Sequence, residues 1–218
     1  MLPFQKHITA LFHMMYYASD HTWNRGNTKF LGVTVLQNPM DLWNMQEIIA
    51  ENKPDIIIET GTADGGSSLF YAVICDALGL DAGIITIDIN AHKSIWRKHP
   101  RIKYLVGASI NKQLVERVRQ LIPSKAKVMV ILDSDHNAAY VLAEMETYGV
   151  FVTPGQYMII EDSNIGGNPV TAINSNDPGP ASAIATFLKH HNEFELDEKR
   201  NEKFFLTFHP GGWLKKVR

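Results

Sequence analysis

Val128-Met129-Val130-Ile131-Leu132 runs straight into Asp133-Ser134-Asp135-His136, and Tyr157-Met158-Ile159-Ile160 runs into Glu161-Asp162. An apolar run that stops at charge reads as a buried parallel strand whose C-terminal end emerges at a working face. Two such ends, separated by a helix-length crossover, bring three or four carboxylate oxygens together. Hard oxygen donors of that kind suit Mg²⁺ or a similar divalent cation. Independently solvated loop acids are the plain alternative, because a motif alone is a hypothesis.

A second chemical signal is Glu59-Thr60-Gly61-Thr62-Ala63-Asp64-Gly65-Gly66-Ser67, set between an apolar run and a helical pattern. Glycines at a strand-to-helix turn let the backbone pass close to a ligand. A phosphate-binding G-x-x-x-x-G-K-[ST] loop needs lysine where Ser67 stands, and a dinucleotide G-x-G-x-x-G turn needs glycine where Ala63 stands. Glu59 would repel a pyrophosphate but attract the sulfonium and amino groups of S-adenosylmethionine. Asp88, which closes Ile84-Ile85-Thr86-Ile87, is placed to accept ribose hydroxyls, as it would be for a nicotinamide cofactor. Gly107-Ala108-Ser109 then offers a small turn where an adenine ring can lie.

The elements that must carry these ends follow from periodicity. Ile56-Ile57-Ile58, Ile84 to Ile87, Lys103 to Val106, Val128 to Leu132 and Tyr157 to Ile160 read as strands. Helical patterns over 67–79, 111–121 and 138–149 separate them, each with apolar residues on one face. That alternation predicts a parallel sheet covered on both sides, with right-handed crossovers. After a helix over 180–190, Phe194-Glu195-Leu196-Asp197 and Lys203 to Phe208 read as two strands joined by charged Glu198 to Glu202. A link so short joins antiparallel neighbours. The expected fold is therefore α/β and Rossmann-like, a doubly wound, mostly parallel seven-stranded sheet with a reversed strand near the C-terminus. Residues 1–50 read as an aromatic, helical extension capping the acceptor side, and 51–218 as one globular catalytic unit. The Asn-, Gly- and Pro-rich stretch 163–180 is too long for a simple connector and reads as a lid or binding loop.

Composition narrows the setting. The chain has 218 residues, 45% of them hydrophobic and 20% charged, with 21 basic against 23 acidic side chains. A net charge of -2 gives no electrostatic case for nucleic acid or an anionic membrane surface. There is no apolar run long enough for a membrane span and no secretory leader pattern. Cys75 falls in an apolar helical pattern and reads as a small core residue, with a reducing cytoplasm as the default. Closed symmetric assemblies are common, yet no interface signature stands out, so a homo-oligomer stays open.

Taken in order, Ile58-Glu59-Thr60-Gly61 with Gly65-Gly66-Ser67-Ser68, Asp88, Gly107-Ala108-Ser109, Leu132-Asp133-Ser134-Asp135-His136 and Ile160-Glu161-Asp162-Ser163-Asn164 resemble class I, metal-dependent O-methyltransferases that use S-adenosylmethionine. More closely they resemble the cephalosporin hydroxylase family, with its rhamnosyl and macrolide-sugar O-methyltransferases. The resemblance covers about 40–212, including Pro178-Gly179-Pro180 and Gly211-Gly212-Trp213. It implies a methyl transfer from S-adenosylmethionine to a hydroxyl of a sugar or secondary metabolite. It also implies that Asp133, Glu161 and Asp162 hold Mg²⁺, with Asp135 able to replace or supplement Asp133. Glu59, Gly61, Thr62, Gly65, Ser67, Asp88, Ser109 and Asp133 are the residues expected at the cofactor. His136 is the expected base, since imidazole's ordinary pKa of about 6.5 suits proton uptake. Catechol-type relatives carry lysine at that place and sugar-modifying relatives histidine, which favours an aliphatic hydroxyl on a small-molecule acceptor.

Other residues keep two readings. Tyr16, Tyr17 and Trp23 either stack on an acceptor ring or pack against a helix. Trp96 either touches adenine or fills the core, and His21, His92 and His209 either line the acceptor site or serve structure. A nicotinamide-dependent oxidoreductase on the same sheet is the rival enzyme; Ala63 and the acids at Glu161 count against it. A catalytically silent module of this fold is the other rival.

Overall fold

Isoleucine, valine and methionine build the sheet, because such side chains fit a pleated surface covered on both faces. The computed structural model describes residues 3–22, 27–90, 96–171 and 177–218. An outer helix α1 (Pro3–Ala18) leads to a small hairpin, β1 (Lys29–Phe30) with β2 (Val33–Thr34), and then to α2 (Pro39–Asn52). The alternating part follows as β3 (Ile56–Thr60), α3 (Gly66–Ala77), β4 (Gly83–Asp88), β5 (Ile102–Val106), α4 (Lys112–Leu121), β6 (Val128–Leu132), α5 (Ala138–Tyr148) and β7 (Tyr157–Ile160). It ends with α6 (Gly179–Phe187), β8 (Phe194–Leu196), α7 (Glu198–Glu202) and β9 (Trp213–Lys216).

The main sheet has the order β5-β4-β3-β6-β7-β9-β8. Strands β3 to β7 pair in parallel, and β9 lies antiparallel to both β7 and β8. This is the doubly wound, mostly parallel seven-stranded arrangement expected, with one reversed strand. Successive side chains alternate between two cores, as strand geometry requires. Ile56, Ile58, Val130, Leu132 and Ile160 meet the α4, α5 and α6 side. Ile57, Met129, Ile131 and Ile159 meet the α2 and α3 side. The chain winds outward from β3 to β5, then returns to β6, so the switch point of the sheet, where open α/β sheets bind ligands, lies between β3 and β6.

Asn38 starts α2, its side chain accepting from the Met40 amide at 3.2 Å, with Pro39 at the first helical position. Leu42, Met45, Ile48 and Ile49 of α2 share one core with Ile57, Tyr71 and Trp213. The division expected at residue 50 thus passes through α2. Helix α1 is different, since His13 is the one buried side chain among those described in it. No helix among the described residues is long and apolar enough to cross a membrane.

The C-terminal tail departs from expectation. Glu198–Glu202 is a helix rather than a strand connection, because Asp197 caps it by accepting from the amides of Lys199 (3.1 Å) and Arg200 (3.2 Å). Lys203 to Phe208 forms no strand, and Phe205 sits at φ 62, in the left-handed region. The returning strand is β9 instead. Gly212 admits it: a Cβ there would lie 2.1 Å from the Ile160 carbonyl oxygen.

Candidate active site

Strand register brings the acids together. Leu132 pairs with Thr60 on one side and with Ile160 on the other, so Asp133 and Glu161 leave neighbouring strands at the same level. The Asp133 amide donates to the Thr60 carbonyl at 3.0 Å, and the Glu161 amide to the Leu132 carbonyl at 3.0 Å. Ligand atoms of Asp133, His136 and Asp162 all lie within 4.8 Å of one another. His136 Nε2 stands 3.3 Å from Asp162 Oδ2. Glu161 is buried beside them, and both its oxygens accept from Gln37 Nε2 at 2.8 Å.

The electrostatics are one-sided. Burial, then the charges of Asp162 and Glu59, push the Asp133 carboxyl well above the usual range. Burial, then Asp133 and Asp162, do the same to Glu161. Among the described residues the ion-pair partners of these acids are histidines, His136 to Asp162 and His209 to Glu161 at 3.8 Å; no lysine or arginine joins them. The donor set is hard oxygen with imidazole at its edge, and its charge is uncompensated. That chemistry fits a divalent cation.

Asp162 adopts φ 51, a left-handed conformation costing roughly 1–2 kcal/mol for a residue with a Cβ. His209 holds it there: Nδ1 accepts from the Asp162 amide at 3.1 Å. The ring's Nε2 then carries hydrogen in the neutral form and faces Asp41 and Glu161, each 3.8 Å away. Asp135 turns elsewhere, accepting from the Asn137 amide at 2.7 Å where α5 begins. Of the two aspartates left open by the sequence, Asp133 is the one inside the close group.

Two cavities flank the cluster, and Asp135 borders both. The smaller, of about 140 Å³, is walled by Gly61, Asp88, Ala108, Ser109, Ser134 and Tyr140. Asp88 accepts from the Ala63 amide and from the Asn90 amide, both at 2.8 Å, which fixes its carboxylate at the cavity edge. The larger, of about 320 Å³, lies between His136 and Asn137 on one wall, Tyr17 of α1, and Ile165, Val170 and Asp177. Of the stretch 163–180 expected as a lid, 172–176 lie outside the described residues, and Gly179 and Pro180 open α6. Burial and the Asp162 charge push the Tyr17 hydroxyl up to about 12, so it stays protonated.

Glu59, Thr62 and Ser67, also expected at the cofactor, lie beneath the wall rather than in it. Glu59 is fully buried and accepts from the hydroxyls of Ser68 and, at 2.5 Å, Thr86. Ser67 also bonds to Glu59, whose carboxyl burial raises. Thr62 is buried with its hydroxyl 2.6 Å from that of Thr86. Gly61, at φ 87, is required by a crossing of chains, since a Cβ would fall 1.8 Å from the Asp133 carbonyl oxygen. Gly65, at φ 83, precedes α3 and faces Trp96 and Tyr104. Trp96 stacks on Tyr104 with centroids 4.6 Å apart and donates to the Ala63 carbonyl at 2.8 Å.

Gln37, Asp41 and Asp177 gave no sequence signal of their own; the signal that could have pointed to the first two is Asn38-Pro39, an N-cap followed by proline at the first helical position. His209 serves structure, and His21 is exposed on the outer turn. Tyr16 and Tyr17 pack edge-on to Phe208 at 6.0 and 5.3 Å. Trp23 and His92 lie outside the described residues.

Comparison with known proteins bears on this geometry. The family described as Rhamnosyl O-methyltransferase/CmcI matches residues 22–217. A rhamnosyl O-methyltransferase of Mycobacterium tuberculosis (strain ATCC 25618 / H37Rv) is 34% identical over 204 residues, 89% of this chain and 82% of that protein. Its namesake in Mycobacterium leprae is 34% identical over 211 residues, 95% and 90% of the two chains. Among solved structures, a CmcI described with Mg and SAM superposes with a TM-score of 0.63 at 16% identity, covering 89% of this chain and 78% of that one. An O-methyltransferase from Bacillus cereus in complex with SAH gives 0.60 at 15% identity, covering 100% and 92%. The structural likenesses establish the same fold.

Proposed function

This chain belongs to the Rhamnosyl O-methyltransferase/CmcI family, and we propose that it moves a methyl group from S-adenosylmethionine to a hydroxyl of a sugar or secondary metabolite with the help of Mg²⁺. It is an S-adenosylmethionine-dependent O-methyltransferase by membership. The observation that carries the fuller reading is the convergence of Asp133, His136 and Asp162 within 4.8 Å, between two cavities that share Asp135 as a wall.

Each residue has a chemical task. Asp133, Asp162 and Glu161 would hold the cation, with Gln37 keeping Glu161 in place. A bound divalent ion supplies Lewis acidity, which lowers the pKa of an acceptor hydroxyl. S-adenosylmethionine supplies an electrophilic methyl carbon on a sulfonium. Asp88 accepts ribose hydroxyls at the smaller cavity, and Gly61, Ala108 and Ser109 shape its wall. Glu59, Thr62, Gly65 and Ser67 act from below by fixing the turn after β3. His136 takes the hydroxyl proton, and Asp162, 3.3 Å from its Nε2, steadies the ring as it becomes charged. Tyr17, Ile165, Val170 and Asp177 wall the acceptor side and limit the access of water. Holding acceptor and donor in line does much of the remaining work.

The capping role expected for residues 1–50 falls to α1 through Tyr17, and 51–218 form the catalytic unit against which α2 packs. Cys75 is buried and free, which suits a reducing cytoplasm. Thermal shift separates the readings, because a ligand that binds only the native state raises stability by RT ln(1 + [L]/Kd). S-adenosylmethionine should raise Tm, Mg²⁺ should raise it separately, and NAD should not. Stabilisation by NAD alone, or methyl transfer that survives exhaustive chelation, overturns the proposal.

A further inference from the structure

Helix α1 presents two opposed faces. One carries His13, which stacks on Phe208 at 5.3 Å and bonds to Asn164 Nδ2 at 2.9 Å, with Tyr16 and Tyr17 beside it. The other carries Phe4, Ile8, Leu11 and Met15, exposed by 60, 60, 51 and 63%. At about 100° per residue these four lie within roughly 60° of one another and about 170° from His13. Their four-three-four spacing is that of a helix–helix seam, with knobs placed to enter holes on a facing helix. Phe12 and Met14 widen the stripe.

We propose that this stripe is covered by α1 of a second copy of the chain, the two helices packing across a twofold axis. A single seam of this kind fits a helix, and an isologous pair supplies one with the same spacing. A half-exposed large side chain offers on the order of 100 Å². Six such residues from each copy cover roughly 1,000 Å², about the area at which a contact becomes a specific interface. A lipid surface fits less well. Interfacial helices turn a lysine- and arginine-rich face to water, whereas the face opposite this stripe is docked on Phe208. Lys6 is the one permanent cation among the described residues of α1, on a chain whose net charge is -2.

The pairing would also complete the site. Helix α1 meets its own subunit along one face, through His13, Tyr16 and Tyr17, and brings Tyr17 to the larger cavity. Clamping α1 between two copies fixes that wall. This last link rests on the cavity being the acceptor site; the pairing itself does not.

Sedimentation equilibrium of the full chain tests the pairing without any substrate. Wild type at tens of micromolar should show twice the chain mass. Ile8→Glu with Leu11→Glu should sediment as a monomer, with the Tm of wild type diluted below its dissociation constant, because both positions are exposed in the single chain. Met15→Ala, which preserves helix propensity, should raise the dissociation constant about tenfold. Amide exchange across α1 should quicken in the double variant. A wild type that stays monomeric at about 100 micromolar, or a double variant that keeps the doubled mass, overturns the proposal. So does flotation of wild type with phosphatidylglycerol vesicles in the absence of self-association.

Discussion

Asp133→Asn probes whether the acidic cluster is built to receive a cation. Ligand atoms of Asp133 and Asp162 lie within 4.8 Å, and two unit charges at that distance repel by about 3.5 kcal/mol at an effective dielectric of about 20. The metal-free chain relieves part of this by retaining a proton, since burial and the charges of Asp162 and Glu59 raise the Asp133 carboxyl well above its ordinary 3.8. A carboxyl raised in the folded state binds a proton that the unfolded chain has released. Its contribution to stability is therefore complete below the ordinary pKa and is lost as pH rises through the raised one. Asparagine removes both charge and titration. At about pH 8, without metal, the variant should be more stable than wild type by about 1–3 kcal/mol, or roughly 3–10 °C in Tm for a chain of this size. The gap should close as pH falls toward the ordinary carboxyl value of 3.8. Mg²⁺ at a hundredfold excess over Kd should add about 2.7 kcal/mol to wild type and little to the variant, reversing the order. Scanning fluorimetry with Mg²⁺ or a chelator, across pH, reads all three effects. A metal-free variant less stable than wild type, with equal Mg²⁺ shifts in both proteins, would refute the reasoning.

Burial lowers the His13 imidazole to about 4, so the unfolded chain binds the extra proton between there and about 6.5. Stability should be complete above that window and fall by at most about 3 kcal/mol as pH drops through it, whereas His13→Gln should flatten the profile; parallel curves for the two proteins would rule this out. Gly61→Ala places a Cβ 1.8 Å from the Asp133 carbonyl oxygen at φ 87 and should cost more than about 3 kcal/mol. Gly155→Ala, at nearly the same φ of 86 but in open space, should cost about 1 kcal/mol, and equal losses in denaturant titrations would count against the crossing argument. Asp177 accepts from the amides of Ala138 (3.0 Å) and Gly179 (2.8 Å) and from the Asn137 side chain (2.5 Å), tying the loop to the start of α5. Asp177→Ala should lower stability by about 1–2 kcal/mol and raise the acceptor KM severalfold while calorimetry finds S-adenosylmethionine binding unchanged; weakened cofactor binding instead would place its effect in the other cavity.

Local pattern carried a great deal. Apolar runs ending in Asp88, Asp133 and Glu161 could be read as strand ends because burial on both faces demands unbroken hydrophobic sequence and charge can appear only where a strand emerges. Glycines after Glu59 marked a turn for the same kind of reason, and two rival ligands lost ground because Ala63 adds a Cβ where a dinucleotide needs bare backbone and Ser67 lacks the ammonium a phosphate loop supplies. Tertiary structure decided what distance along the chain conceals. Register set Asp133 level with Glu161, and the chain's return through His209 and Gln37 fixed Asp162 and Glu161 from far in sequence. Depth was hidden too: Glu59 lies under the cleft rather than in it, because Ser68 and Thr86 reach it from α3 and β4. The last strand was misplaced since Lys203 to Phe208 has the composition of a strand, while the close approach to the Ile160 carbonyl that admits β9 is available only at Gly212. Sequence determines which residues prefer to be buried and where a run must end. Pairing partners, depth and the direction of a side chain depend on contacts between distant segments, and those exist only once the chain has closed on itself.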